Sequence, residues 1–212
     1  MKKLFLILIG IAICSHPLSA QKKMTPREIL DKTSLIMEKS EGFSAKFTTT
    51  SFQGTRPIES MSGTLDVCGD KYLMKTEAFC TWYNGKDQWT LISGNNEVSL
   101  VSPTPDELQA SSPMAFINIY KHGFSLSAQN AILRDRKIWD VTLKPQKRNQ
   151  EPSRIVVSID QETFLPLCLR IRNEGNWTRI SITDINNATK FSDSHFTFST
   201  SDHLGYEIID MR

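Results

Sequence analysis

Residues 63–101 read GTLDVCGDKYLMKTEAFCTWYNGKDQWTLISGNNEVSLV. Apolar and polar side chains alternate along short runs at 63–68, 71–77, 79–83, 88–92 and 97–101. That is the period of a strand with one buried face. Gly69-Asp70, Asn84-Gly85 and Gly94-Asn95-Asn96 separate the runs, and each can supply the positive φ that a tight hairpin needs. Strands joined in this way form an antiparallel meander.

Upstream, Phe43, Ala45 and Phe47 alternate with polar neighbours in the same manner. Before them one helix is signalled: Thr25 caps it, Pro26 takes the first helical position, Glu28 completes a capping box and Met24 staples onto Ile29. Ile29, Leu30, Thr33, Ile36 and Met37 then form one apolar face, and Gly42 ends the segment. Downstream, Pro103, Pro105 and Pro113 interrupt the strand pattern, leaving two short helices at 106–110 and 114–120, the second carrying Met114, Phe116, Ile117 and Tyr120. Alternation resumes at 137–143, 154–160, 165–172 and 177–183, and the chain closes through Phe196, Phe198 and residues 206–209. The fold class is α+β, a long antiparallel sheet with helices against one face.

At the other end of the chain, Lys2 and Lys3 precede an apolar run over 4–14, and Leu18-Ser19-Ala20 leads into a polar sequence from Gln21. This is the pattern of a secretory signal peptide, residues 1–20, cut between Ala20 and Gln21. The run is about half of the roughly 20 residues a membrane span requires. Gln21 stands where a lipid-anchored product needs cysteine, which argues against acylation of this chain. Residues 21–212 then form a single exported, soluble domain without a linker or repeat.

Loss of the leader leaves 23 basic and 23 acidic side chains. A neutral balance argues against nucleic acid as a partner, and the one dense basic cluster, Lys144, Lys147 and Arg148, reads as a solvated hairpin tip. Cys68, Cys80 and Cys168 remain. The exported compartment permits a cross-strand bridge between Cys68 and Cys80 with one thiol left over; the alternative is that all three are small buried side chains. No C-x-x-C or H-E-x-x-H occurs and His122, His195 and His203 are scattered, so neither a metal nor a cofactor is expected. Ser199, Ser201, Asp202 and His203 lie together without a G-x-S-x-G elbow, which does not make an enzyme. Asn176-Trp177-Thr178 and Asn187-Ala188-Thr189 match the glycosylation pattern and read as polar turn or strand-edge residues.

Taken in order, the N-terminal helix running into Phe43-Ser44-Ala45-Lys46-Phe47, then Gly63-Thr64-Leu65 and residues 82–89, WYNGKDQW, resemble the first half of LolA-like periplasmic lipoprotein carriers. Residues 159–167, IDQETFLPL, are similar to that family's turn before a returning strand; residues 180–185, ISITDI, resemble its next strand; and Phe196-Thr197-Phe198 with residues 205–210, GYEIID, resembles its C-terminal signature. The resemblance implies an incomplete, strongly curved β-barrel whose concave face is covered by the N-terminal helix and the short inserted helices. It implies an apolar cavity there that holds lipoprotein acyl chains. It also implies a place in the periplasm of a Gram-negative bacterium, where a monomeric carrier takes acylated lipoproteins from an inner-membrane releasing transporter to an outer-membrane acceptor, with only transient membrane contact.

Phe47, Leu65, Val67, Trp82, Trp89, Leu91, Phe116, Ile155, Val157, Leu167 and Leu169 are the candidate cavity lining, and the proline-bounded interruption of the sheet makes Met114, Phe116, Ile117 and Tyr120 the candidate lid. Each of these positions is equally suited to ordinary core. Two departures from the family are visible. The arginine-proline pair that follows the strand at 65–67, whose arginine is thought to hold the lid shut, is replaced by Cys68-Gly69-Asp70-Lys71, and the proline usual between Phe198 and Gly205 is missing. A divergent branch is implied, for which a lipid- or lipoprotein-sensing envelope regulator is the alternative function.

Overall fold

The computed structural model describes residues 23–111, 118–201 and 203–212. The leader, Met114, Phe116, Ile117 and Asp202 lie outside the described residues. Helix α1, Pro26–Lys39, starts as the sequence requires: Thr25 N donates to Glu28 Oε2 (2.7 Å), and Glu28 N to Thr25 Oγ1 (3.2 Å). It buries Ile29, Leu30, Thr33, Ser34 and Met37.

β1 (Phe43–Gln53), β2 (Arg56–Cys68), β3 (Lys71–Thr76), β4 (Phe79–Tyr83), β5 (Gln88–Ile92) and β6 (Glu97–Val101) form the meander. After α2 (Pro105–Ser111) and a 3-10 turn at Ile119–Lys121 come β7 (Phe124–Leu133), β8 (Arg136–Pro145), β9 (Arg154–Asp160), β10 (Pro166–Asn173) and β11 (Asn176–Asn186); a second 3-10 turn, Asp193–Phe196, precedes β12 (Glu207–Asp210). Among the described residues all twelve strands belong to one curved, unclosed sheet in the order β12-β6-β5-β4-β3-β2-β1-β11-β10-β9-β8-β7. β1 joins the two halves through β11. Every pairing is antiparallel except β12 on β6, which is parallel. β7 begins well before residue 137, where the alternation in sequence becomes clear. Only Phe124, of its ten residues, is fully buried, so an edge strand carries little apolar signal.

Cys68 and Cys80 are free thiols, and the cross-strand bridge that the exported compartment permits is not formed. Register explains this. Cys68 stands opposite Lys71 and Cys80 opposite Lys75, four positions apart on β3, or about 13 Å at the usual rise per residue, and a disulfide requires Cα atoms within about 7 Å. Cys68 Sγ instead donates to the Glu41 carbonyl (3.4 Å).

Candidate functional site: an apolar hollow on the helix-covered face

Side chains on a strand alternate between the two faces, so register assigns each residue to a side. On the inner face, beneath the helices, Phe43, Ala45, Val67, Tyr72 and Tyr83 pack with Met37 of α1, and Leu65, Met74, Leu108, Ile182 and Ile185 lie against them. Farther along the same face, Ile29 and Leu30 of α1 pack on Val141, Leu143, Ile155, Ile159, Leu169 and Ile171. α1 therefore spans both apolar clusters. Phe47 shares this face, and it occupies the space opposite Gly63, where a Cβ would collide with the Phe47 ring and the Lys75 carbonyl.

The cover is pinned by polar contacts. Tyr120 is fully buried, and its hydroxyl donates to Asp31 Oδ1 of α1 (2.6 Å). Burial, followed by that bond, pushes its pKa up to about 12. Tyr120, expected in a lid, is thus a core residue that holds the helix down. Tyr72 is similarly pushed up to about 12 by burial, and its hydroxyl donates to Gln88 Oε1 (2.8 Å).

An open cavity of about 430 Å³ lies at one end of the sheet, bordering the inner-face cluster through Ile182 and Ile185. Leu165, Leu167, Ile182 and Ile185 supply its apolar lining, and Arg134, Arg136, Thr163, Thr183 and Asp184 its polar lining. Since Ile182 and Ile185 also border the inner-face cluster, the hollow continues the apolar surface under the helix. Its size is in the usual range for small-ligand sites. One wall is the turn at 160–165. Asp160, fully buried, accepts from Glu162 N (3.0 Å), Thr163 N (2.8 Å) and Thr163 Oγ1 (3.0 Å), and Arg136 lies 3.3 Å away. Burial alone would raise the Asp160 pKa; these donors and Arg136 together outweigh it and hold the carboxyl below its ordinary value. Arg134 Nη2 donates to the Leu167 carbonyl (2.7 Å), closing the wall. Among the described residues no group of three His, Cys, Asp or Glu side chains is placed to hold a metal ion.

The nominated lining residues divide. Phe47, Leu65, Val67, Ile155, Val157 and Leu169 lie on the inner face and none of them borders the open cavity, whereas Leu167, at an irregularity in the β9–β10 pairing, does border it. Trp82, Trp89 and Leu91 belong to the outer face. They pair across β4 and β5 as Trp82 with Trp89 and Cys80 with Leu91, and the C-terminal segment covers them through Phe196 and Phe198. Phe198 meets Trp82 edge-on at 5.3 Å. Lys71 and His195 fasten this segment: Lys71 Nζ is 2.7 Å from Asp193 Oδ1, and His195 Nε2 is 2.8 Å from Asp66 Oδ2. A second cavity of about 610 Å³, lined by Lys75, Cys80, Trp82, His195 and His203 among others, lies beneath it. Leu165, Ile182 and Ile185 are lining residues that alternation does not single out, although they sit in the IDQETFLPL and ISITDI stretches that resemble the family.

Residues 17–176 match the family model for the outer membrane lipoprotein carrier protein LolA. The chain belongs to this family. Its fold is similar to that of an uncharacterized conserved protein from Thermus thermophilus, with 11% identity, 87% of this chain and 98% of the other covered, and a TM-score of 0.60. More distant matches are a DUF1329 family protein from Desulfovibrio piger (12% identity, 82% and 97% covered, TM-score 0.47) and a LolA superfamily protein from Nitrosomonas europaea (12%, 82% and 98%, 0.41). No curated protein matches the sequence. At such identities the structural likeness speaks to the fold alone. Within this LolA-family sheet, the stretch that replaces the arginine-proline pair does not face the helices. Lys71 there secures the C-terminal segment to the outer face.

Proposed function

We propose that this LolA-family protein is a periplasmic carrier that shelters lipoprotein acyl chains on its inner face and delivers lipoproteins from an inner-membrane releasing transporter to an outer-membrane acceptor. Family membership carries the reading, and the apolar side chains of Leu165, Leu167, Ile182 and Ile185 around an open cavity support it. Each methylene withdrawn from water is worth about 0.8 kcal/mol, so complete shelter of a chain of about 16 carbons has a gross value near 12 kcal/mol. A carrier must also release its cargo. Cargo that extends beyond the hollow has to lift α1 from two apolar clusters, and that cost lowers the net affinity toward an exchangeable range. The work required is binding and release, with no bond made or broken, so the role is not enzymatic.

Native mass spectrometry of mature protein from the periplasm, with lipid extraction of the same sample, tests the reading. Bound acylated protein, or co-purified lipid displaced by an acylated peptide, is expected. A protein that emerges clean and ignores the acylated peptide would remove the carrier proposal.

A further inference from the structure

Outside the site just described, the outer face of β8–β11 carries a concentration of like charge. In the register of the sheet, Arg154 lies directly opposite Arg172, which lies opposite Trp177, which in turn pairs with Phe52 of β1. One step along the strands, Arg170 lies directly opposite Arg179. Ile155, Leu169 and Ile171 point inward, so alternation sends all four guanidinium side chains outward. Opposed side chains on neighbouring antiparallel strands have Cβ atoms about 5 Å apart, and like charges there are destabilising. Two such pairs stand side by side.

Counter-charge is scarce. Arg170 Nη2 meets Asp140 Oδ2 at 2.8 Å, and no carboxylate pairs with Arg154, Arg172 or Arg179 among the described residues. The Nε atoms of Arg154, Arg170 and Arg172 are buried without a hydrogen-bond partner, whereas a buried donor is ordinarily satisfied. Arg179 lies over the Phe52 ring at 5.1 Å. The positive field reaches Cys168 as well: burial raises its thiol pKa, and Arg170, Arg179 and Arg134 oppose that rise.

We propose that this arginine plate is a docking surface for anionic phospholipid headgroups, by which the protein rests on a membrane with its outer face. Guanidinium groups donate to phosphate oxygens in a planar, bidentate fork. A set spread over three adjacent strands matches a field of headgroups better than a single ligand, and the Trp177 ring at its margin is of the type that settles at the headgroup level. The opposed pairs lose their repulsion when phosphates lie between them. The proposal uses the outward-facing arginines of β9–β11, none of which lines the acyl hollow, and does not depend on that hollow having a cargo.

The test is sedimentation of the mature protein with vesicles of equal parts phosphatidylglycerol and phosphatidylcholine, compared with phosphatidylcholine alone, for the wild type and for the triple variant Arg154→Gln, Arg172→Gln, Arg179→Gln. The wild type is expected to bind only the anionic vesicles, less tightly as salt rises, and the triple variant to bind about 100-fold more weakly. Arg170, which has a structural partner in Asp140, is left in place. The triple variant should melt no lower than the wild type, since the opposed pairs are relieved; a purely structural role for these arginines predicts a lower melting temperature and unchanged vesicle binding. Undiminished binding by the folded triple variant overturns the proposal. So does a wild type that ignores anionic vesicles, a result that would leave an acidic protein segment as the occupant.

Discussion

Asp160 shows how one buried side chain shapes the wall of the hollow. Its carboxylate accepts from two amides and a hydroxyl of the turn that places Leu165. Replacing it with Asn removes charge-assisted bonds worth about 1–3 kcal/mol. Its folded-state pKa lies below the ordinary value. The stabilisation is therefore complete above the unfolded-state pKa and is lost as pH falls through the lower, folded-state value. Urea melts of wild type and Asp160→Asn should differ most near neutrality and converge below about pH 4; a gap that persists in strong acid would mean that packing, not charge, is at work. Tyr120 has the opposite dependence. It is held protonated up to about 12, so its contribution is present below the ordinary tyrosine pKa and lost between about pH 10 and 12. Tyr120→Phe should cost about 1 kcal/mol at neutral pH and should flatten the alkaline limb of the stability curve.

At the scale of elements, the strands were legible because each turn carries its own chemistry, and α1 because its capping box is local. The side to which a strand turns its apolar residues was not. Trp82 and Tyr83 are adjacent and both buried, one under the C-terminal segment and the other under α1. A strand covered on both sides has no polar face to betray its orientation, so alternation placed Trp82 and Trp89 with Leu65 and Val67 when the sheet separates them. A pair of variants distinguishes these roles. Trp82→Ala opens a void against Phe198 and should cost about 3–5 kcal/mol, while a variant that still folds should keep its affinity for an acylated peptide. Ile182→Asp puts a charge on the apolar lining of the hollow and should abolish that affinity. Equal loss of peptide binding in both, with both folded by circular dichroism, would place the cargo elsewhere.

For the molecule as a whole, the two faces of one sheet carry different chemistry, apolar beneath the helices and cationic across β9–β11. The cationic face was hidden in the sequence because Arg154, Arg170, Arg172 and Arg179 are brought together only by strand register, while the overall charge of residues 21–212 is balanced. Lys144, Lys147 and Arg148, close together in the chain, form the one basic cluster visible in sequence. Because the sheet separates the two faces, their functions should be separable, and changes at distant sites without shared partners usually combine additively. The expected pattern is reciprocal. Ile182→Asp should lose acylated-peptide binding and keep binding to anionic vesicles, the triple arginine variant should do the reverse, and the combined variant should show each single defect at its original size. Fluorescence titration with an acylated peptide and vesicle sedimentation, on the same four preparations, measure the two sides. If the triple variant also loses the peptide while remaining folded, the faces are coupled through the sheet. Membrane contact on the outer face would then act on the grip of α1 on the inner one, which is a means of releasing cargo at the bilayer.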